Sequence, residues 1–174
     1  QGAGRMINWQ YYPRSDSCPG HLHEVVEVFE AASDEIDSST HPGQVSNTAL
    51  AKVRPGLLAK GFDVELGKKK AEKVLVPVLF GPNGKIQQSF EADAWHRENE
   101  VVLEVEAGRG VTNYQFLKDL FQACMMQDVR YLVIAVRNIY RDSKDWEKVC
   151  TFFDTMYASR RLELPLSGVL ILGY

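Results

Sequence analysis

The spacing of apolar positions changes several times along the chain, and each change marks a new element. After a polar, aromatic-containing lead-in through Tyr12, Pro13 and Pro19-Gly20, residues Leu22, Val25, Val26, Phe29 and Ile36 recur at helical spacing, which predicts an amphipathic helix over 22–36. Ser38 to Gly43 has turn composition. A second helical pattern begins at Ser46, carries Leu50, Val53, Leu57 and Leu58, is kinked by Pro55 and ends at Gly61. The period then drops to that of strands over 62–66, 74–80, 86–96 and 101–107, with turn residues at Gly81-Pro82-Asn83-Gly84, so a meander of hairpins is expected.

Beyond the meander, Thr112 and Gln115 have the spacing of a capping box, opening a helix whose apolar face is Phe116, Leu117, Leu120, Phe121 and Cys124. Tyr131 to Val136 reads as a buried strand. Trp146, Val149, Cys150, Phe153, Met156 and Tyr157 line one face of a helix over 145–159, and Gly168 to Leu172 reads as a last strand. With no repeat or linker, this order describes one α/β domain over 6–174, and Gln1 to Arg5 resembles the remnant of a cleaved tag ahead of Met6.

The segment with the most chemistry is 90–107. Alternation places Glu91, Asp93 and Trp95 on one face of the first strand and Phe90, Ala92 and Ala94 on the other. In the second strand Val102, Glu104 and Glu106 share a face, while Val101, Leu103, Val105 and Ala107 are fit for a core. A turn on Glu98-Asn99, or on Arg97 to Glu100, sets Asp93 opposite Glu104 and Glu91 opposite Glu106. Two ionised carboxylates ~5 Å apart repel by ~3 kcal/mol at an effective dielectric near 20. A divalent cation removes that repulsion, and Mg²⁺ in particular takes one or two carboxylates, keeps several waters and can hold a scissile phosphate beside an acidified water. The rival reading is a solvated edge face whose acids pair with lysine and arginine or guard against aggregation.

Composition narrows the setting. The chain has 174 residues, 45% of them apolar and 25% charged, enough for one core, and its apolar runs are too short to span a bilayer, so no membrane association is expected. Cys18, Cys124 and Cys150 lie far apart without CxxC pairing, and the four histidines show no zinc spacing, which points to a reducing cytoplasm and away from zinc. His96, at the hairpin end, reads as a surface residue. A net charge of −3 means that nucleic-acid binding must come from a local basic surface.

At 90–107 the sequence resembles the PD-(D/E)xK nuclease superfamily, in Asp93, a ten-residue gap and then Glu104-Val105-Glu106, and in the order helix, strands, helix, strand over roughly 47–138. The resemblance implies a restriction-endonuclease-like core, a mixed sheet whose antiparallel meander is flanked by helices. It also implies Asp93 and Glu104 as Mg²⁺ or Mn²⁺ ligands in a DNA endonuclease, which would often work as a homodimer. Glu106 stands where the family usually has lysine, as a further ligand or a base, and Ala92 replaces the family's proline. Acids of the first helix sometimes join such sites, making Glu24 and Glu27 candidates.

For DNA contacts, Arg109 in the Gly108-Arg109-Gly110 connector and Lys70 within Lys68-Lys69-Lys70 are the candidate phosphate ligands. Gln115 and Lys118, one turn apart, would look into the cleft from the following helix. A catalytically inactive chain of the same fold, binding nucleic acid or protein, is the alternative function.

Overall fold

The computed structural model describes residues 7–174, and of Arg109 and Gly110 the backbone alone; the tag-remnant reading of residues 1–5 and the start at Met6 lie outside these residues. The elements run β1 (Asn8–Tyr12), α1 (Gly20–Ala31), α2 (Ser33–Ile36), α3 (Ser46–Ala59), β2 (Asp63–Val64), β3 (Val74–Phe80), β4 (Ile86–Ala92), β5 (Ala94–His96), β6 (Val101–Val105), α4 (Arg109–Thr112), α5 (Gln115–Met125), β7 (Tyr131–Val136), α6 (Asp145–Ser159) and β8 (Gly168–Gly173).

A mixed six-stranded sheet in the order β1-β8-β7-β6-β5-β2 forms the centre, and β3 and β4 pair separately as a two-stranded arm. Strands β6, β7 and β8 are parallel, whereas β1, β5 and β2 join antiparallel at the two ends. Parallel strands are covered on both faces, which explains why Tyr131–Val136 and Gly168–Gly173 read as continuous apolar runs. One face, with Leu103, Val105, Val133 and Leu170, packs on α1 and α3 through Leu22, Phe29, Leu50 and Leu57. The opposite face, with Val102, Leu132, Ile134 and Ile171, packs on α5 and α6 through Phe116, Leu120, Val149 and Phe153.

Several expectations are corrected. The lead-in contains a strand, β1, which pairs with β8 and buries Tyr11 and Tyr12; its polar, aromatic composition hid an edge strand. The helix over 22–36 is two helices, broken at Ala32. The run 86–96 is two strands in two sheets, because the chain leaves the arm at Asp93 and enters the central sheet at Ala94. No capping box opens α5: the Thr112 hydroxyl donates to Gly108 O within α4, and Tyr114, with φ 56°, precedes the helix. Phe121 is exposed, and the buried stripe of α5 is Phe116, Asp119, Leu120 and Ala123. His96 is buried, with Nε2 against Lys60 O and Nδ1 accepting from Asn99 N.

Candidate functional site

The hairpin of β5 and β6 sets the site. Its pairs are Ala94 with Leu103, Trp95 with Val102 and His96 with Val101, and the turn is closed by Glu100 N donating to Arg97 O. Both the register and the four-residue turn Arg97–Glu100 are among those expected from the sequence. Continued by one residue, this register faces Asp93 toward Glu104. Asp93, at the strand break, turns its carboxylate into the ladder, and Oδ2 accepts from Val105 N at 2.7 Å. A side chain thus does what a backbone carbonyl would do in an unbroken strand.

Glu104 lies beside Ile134 of β7 and one alternation from Val102, so it and Glu106 occupy positions on the α5 face of the sheet that the pattern otherwise fills with apolar residues. Glu106 is held by its backbone: N donates to Ala135 O, and Tyr174 Oη donates to Glu106 O at 2.6 Å. From above, α5 adds Asp119, which sits on that helix's buried stripe with Phe116 and Leu120. From the side comes Glu65, just past β2, whose N donates to Asp93 O and whose own O accepts from Arg54. These acids line a cleft of about 490 Å³ together with Gln115 and Lys118 of α5, at the carboxyl end of β6.

Crowding and burial keep protons on several of them. Glu104 titrates well above the usual carboxylate range, first because it is buried and then because Asp93, Asp119 and Glu106 are close. Burial also raises Asp93, partly offset by the Val105 N–H and by hydrogen bonds from Glu104 and Glu65. Glu65 is pushed up to about 7 by burial, then by Asp93. Asp119 is pushed up to about 10 by burial, then by its hydrogen bond to Glu106. Glu65, Asp93, Glu104 and Asp119 therefore all keep their protons to higher pH than ordinary carboxyls.

The expected acids divide accordingly. Asp93, Glu104 and Glu106 come together in the cleft. Glu91 does not face Glu106: β4 has left the central sheet, Glu91 pairs with Leu75 of β3, and its carboxylate meets Lys73 at the cleft rim. Glu24 is exposed on α1, where Lys60 lies 3.9 Å away, and neither Glu24 nor Glu27 lines the cleft, which draws its helical residues from α5 and from Ser46 at the start of α3. Lys70 is exposed and also outside it, whereas Lys68, Lys73 and Arg54 line an adjoining pocket that shares Glu65 and Glu91 with the cleft. Arg109 opens α4, and its side chain lies outside the described residues. Reading from the sequence missed Asp119 and Glu65. An acid three residues after Phe116 and directly before Leu120, on the core stripe of a helix, was the available signal for Asp119.

The donor chemistry fits a hard divalent cation, since carboxylate oxygens dominate the cleft and neither histidine nor cysteine lines it. Among the described residues no three acidic, histidine or cysteine side chains are arranged to hold one ion in common. Mg²⁺, which is content with one or two carboxylates and several waters, does not require three.

Neither a protein-family model nor a curated protein sequence matches the chain. Among the described residues, no helix is long and apolar enough to cross a membrane.

Proposed function

We propose that this chain is a metal-dependent nuclease that hydrolyses phosphodiester bonds in DNA on a restriction-endonuclease-like core. The observation that carries the reading is the convergence of Asp93 and Glu104 from adjoining strand ends in an open acidic cleft, at a cost in like-charge crowding that an apolar pair would not incur. The order α3, β5, β6, α5, β7 around these acids supports the same reading.

Asp93 and Glu104 would hold the cation, with the Asp93 carboxylate fixed by the Val105 N–H. When bound, Mg²⁺ or Mn²⁺ supplies a Lewis acid for the phosphate and lowers the pKa of a coordinated water. Glu106 serves as ligand or base. Lys118, the ammonium that lines the cleft from α5, offers the positive charge that the family usually places at the Glu106 position. Lys68, Lys73 and Arg54 supply a basic wall beside the acids on which flanking phosphates can rest.

The test is cleavage of double-stranded DNA by the purified chain in Mg²⁺ or Mn²⁺, against EDTA. Asp93→Asn and Glu104→Gln should each reduce cleavage by at least about 100-fold, the loss typical of a missing electrostatic stabiliser. Cleavage at the wild-type rate by either variant, or none by the wild type in any divalent metal, would refute the reading. A chain that binds DNA without cutting it would be the inactive relative instead.

A further inference from the structure

Strands β6, β7 and β8 end at Val105, Val136 and Gly173, and the end of β6 opens onto the acidic cleft. Where a parallel ladder stops, the next backbone groups need other partners. Glu106 is the first residue past β6. Its N donates to Ala135 O, and a further rung of the ladder would bring Arg137 N–H to its O. The phenol of Tyr174, just past β8, reaches beyond the end of β7 and donates to Glu106 O at 2.6 Å. Tyr174 is itself fixed: it is 1% exposed, its N donates to Val136 O, and its O accepts from Asn138 N at 2.7 Å and from Ser38 Oγ at 2.6 Å. Asp93 Oδ2 takes Val105 N on the β5 side of the strand and Tyr174 Oη takes Glu106 O on the β7 side. Two side chains thus hold the strand end that carries Glu104 and Glu106.

We propose that Tyr174 is a positioning residue for the reaction, its hydroxyl holding the Glu106 backbone so that the Glu106 carboxylate keeps its place in the cleft. The proposal deepens the nuclease reading and rests on it. Glu106 needs such a hold more than Glu104 does, because it lies beyond the last residue of β6 and the chain runs from it through Gly108 into α4. A swing of its carbonyl would carry the side chain along, and a misplacement of about 1 Å at a reacting group can cost on the order of 100-fold in rate. Phenylalanine would fill the same buried space; what the hydroxyl adds at the cleft is the bond to Glu106 O.

The experiment compares single-turnover DNA cleavage in Mg²⁺ or Mn²⁺ by the full chain, by Tyr174→Phe, by Glu106→Gln and by the double variant, with folding followed by melts in EDTA. Tyr174→Phe should lower the rate at saturating DNA by about 10-fold to 100-fold and leave the DNA concentration for half-saturation unchanged. In the Glu106→Gln background it should cost nothing further, as for two residues that act through one group. Tyr12→Phe is the control: it removes a comparably buried phenol bond, to Cys150 O at 2.8 Å, outside the cleft, and should lower Tm without changing the rate. A wild-type rate for Tyr174→Phe, losses that multiply in the double variant, or an equal loss in Tyr12→Phe would overturn the positioning role and leave the nuclease reading standing. If Tyr174→Phe does not fold, a Mg²⁺ titration followed by NMR decides: the Tyr174 ring resonances should move in the wild type and stay still in Glu106→Gln, and identical behaviour of the two would overturn the role. No cleavage by the wild type in either metal would overturn both.

Discussion

At the scale of single residues, the cleft is a set of carboxyls whose protons report on one another. Glu65 and Asp119 both titrate above their ordinary range, to about 7 and about 10. A group raised in the folded state keeps its proton there over a pH window in which the unfolded chain has lost it. Its contribution is complete below the ordinary carboxylate pKa and disappears as pH rises through the folded value. Without metal, the chain should therefore lose stability steadily from about pH 5 to pH 8, and Glu65→Gln should flatten that decline; melting curves in EDTA across this range would show it, and a Tm rising with pH would contradict the assignment. With Mn²⁺ the trend in affinity reverses, since the ligands must shed protons to bind, so binding should tighten with pH. Glu106→Lys places an ammonium against Asp119 and removes a like charge. It should leave the chain folded, with metal-free stability unchanged or raised by on the order of 1 kcal/mol. A large loss by denaturant melt would mean that Glu106 faces the core.

At the scale of elements, most of the fold was legible, for reasons that also explain the failures. Buried parallel strands such as Tyr131–Val136, and the amphipathic helix Asp145–Ser159, show periods set by two covered faces or by one, and the sequence predicts both to the residue. The register of β5 on β6 was legible because a slip by one residue would drive Leu103 and Val105 off the core face. The break at Asp93 was not, since alternation continues in sequence while the chain changes sheets. The register sets Asp93 toward Glu104 as the alternation predicts, whereas the break is why Glu91, expected opposite Glu106, pairs with Leu75 instead. Glu65 was illegible because tertiary packing next to β2, and no local motif, brings it to the cleft, whereas Asp119 left one signal, an acid on the core stripe of α5. The turn from α3 into β2 carries a further constraint. Gly61 has φ +94°, and a Cβ there would meet His96 Nε2 at 2.9 Å. Gly61→Ala should cost roughly 1–3 kcal/mol, measured by denaturant melt, by forcing both a left-handed backbone and a shift of the His96 ring.

At the scale of the whole molecule, the net charge of −3 leaves DNA attraction to local cations. Lys68 and Lys73 lie along the basic wall, so Lys68→Ala and Lys73→Ala should each flatten the salt dependence of DNA binding by about one unit of slope in EDTA, while Lys70→Ala should change it less. Fluorescence anisotropy at several salt concentrations would decide, and equal effects from all three would point to a diffuse surface instead. The hydrogen bond from Val105 N to the Asp93 carboxylate gives the molecule a built-in gauge of its own site. Because that amide looks to an ionisable side chain where its neighbours look to carbonyls, its proton resonance should move when Asp93 gains a proton or a cation, while the amides of Leu103 and Val133 stay still. A two-dimensional NMR spectrum recorded during titration would then read the state of the cleft from within the sheet, with no substrate added.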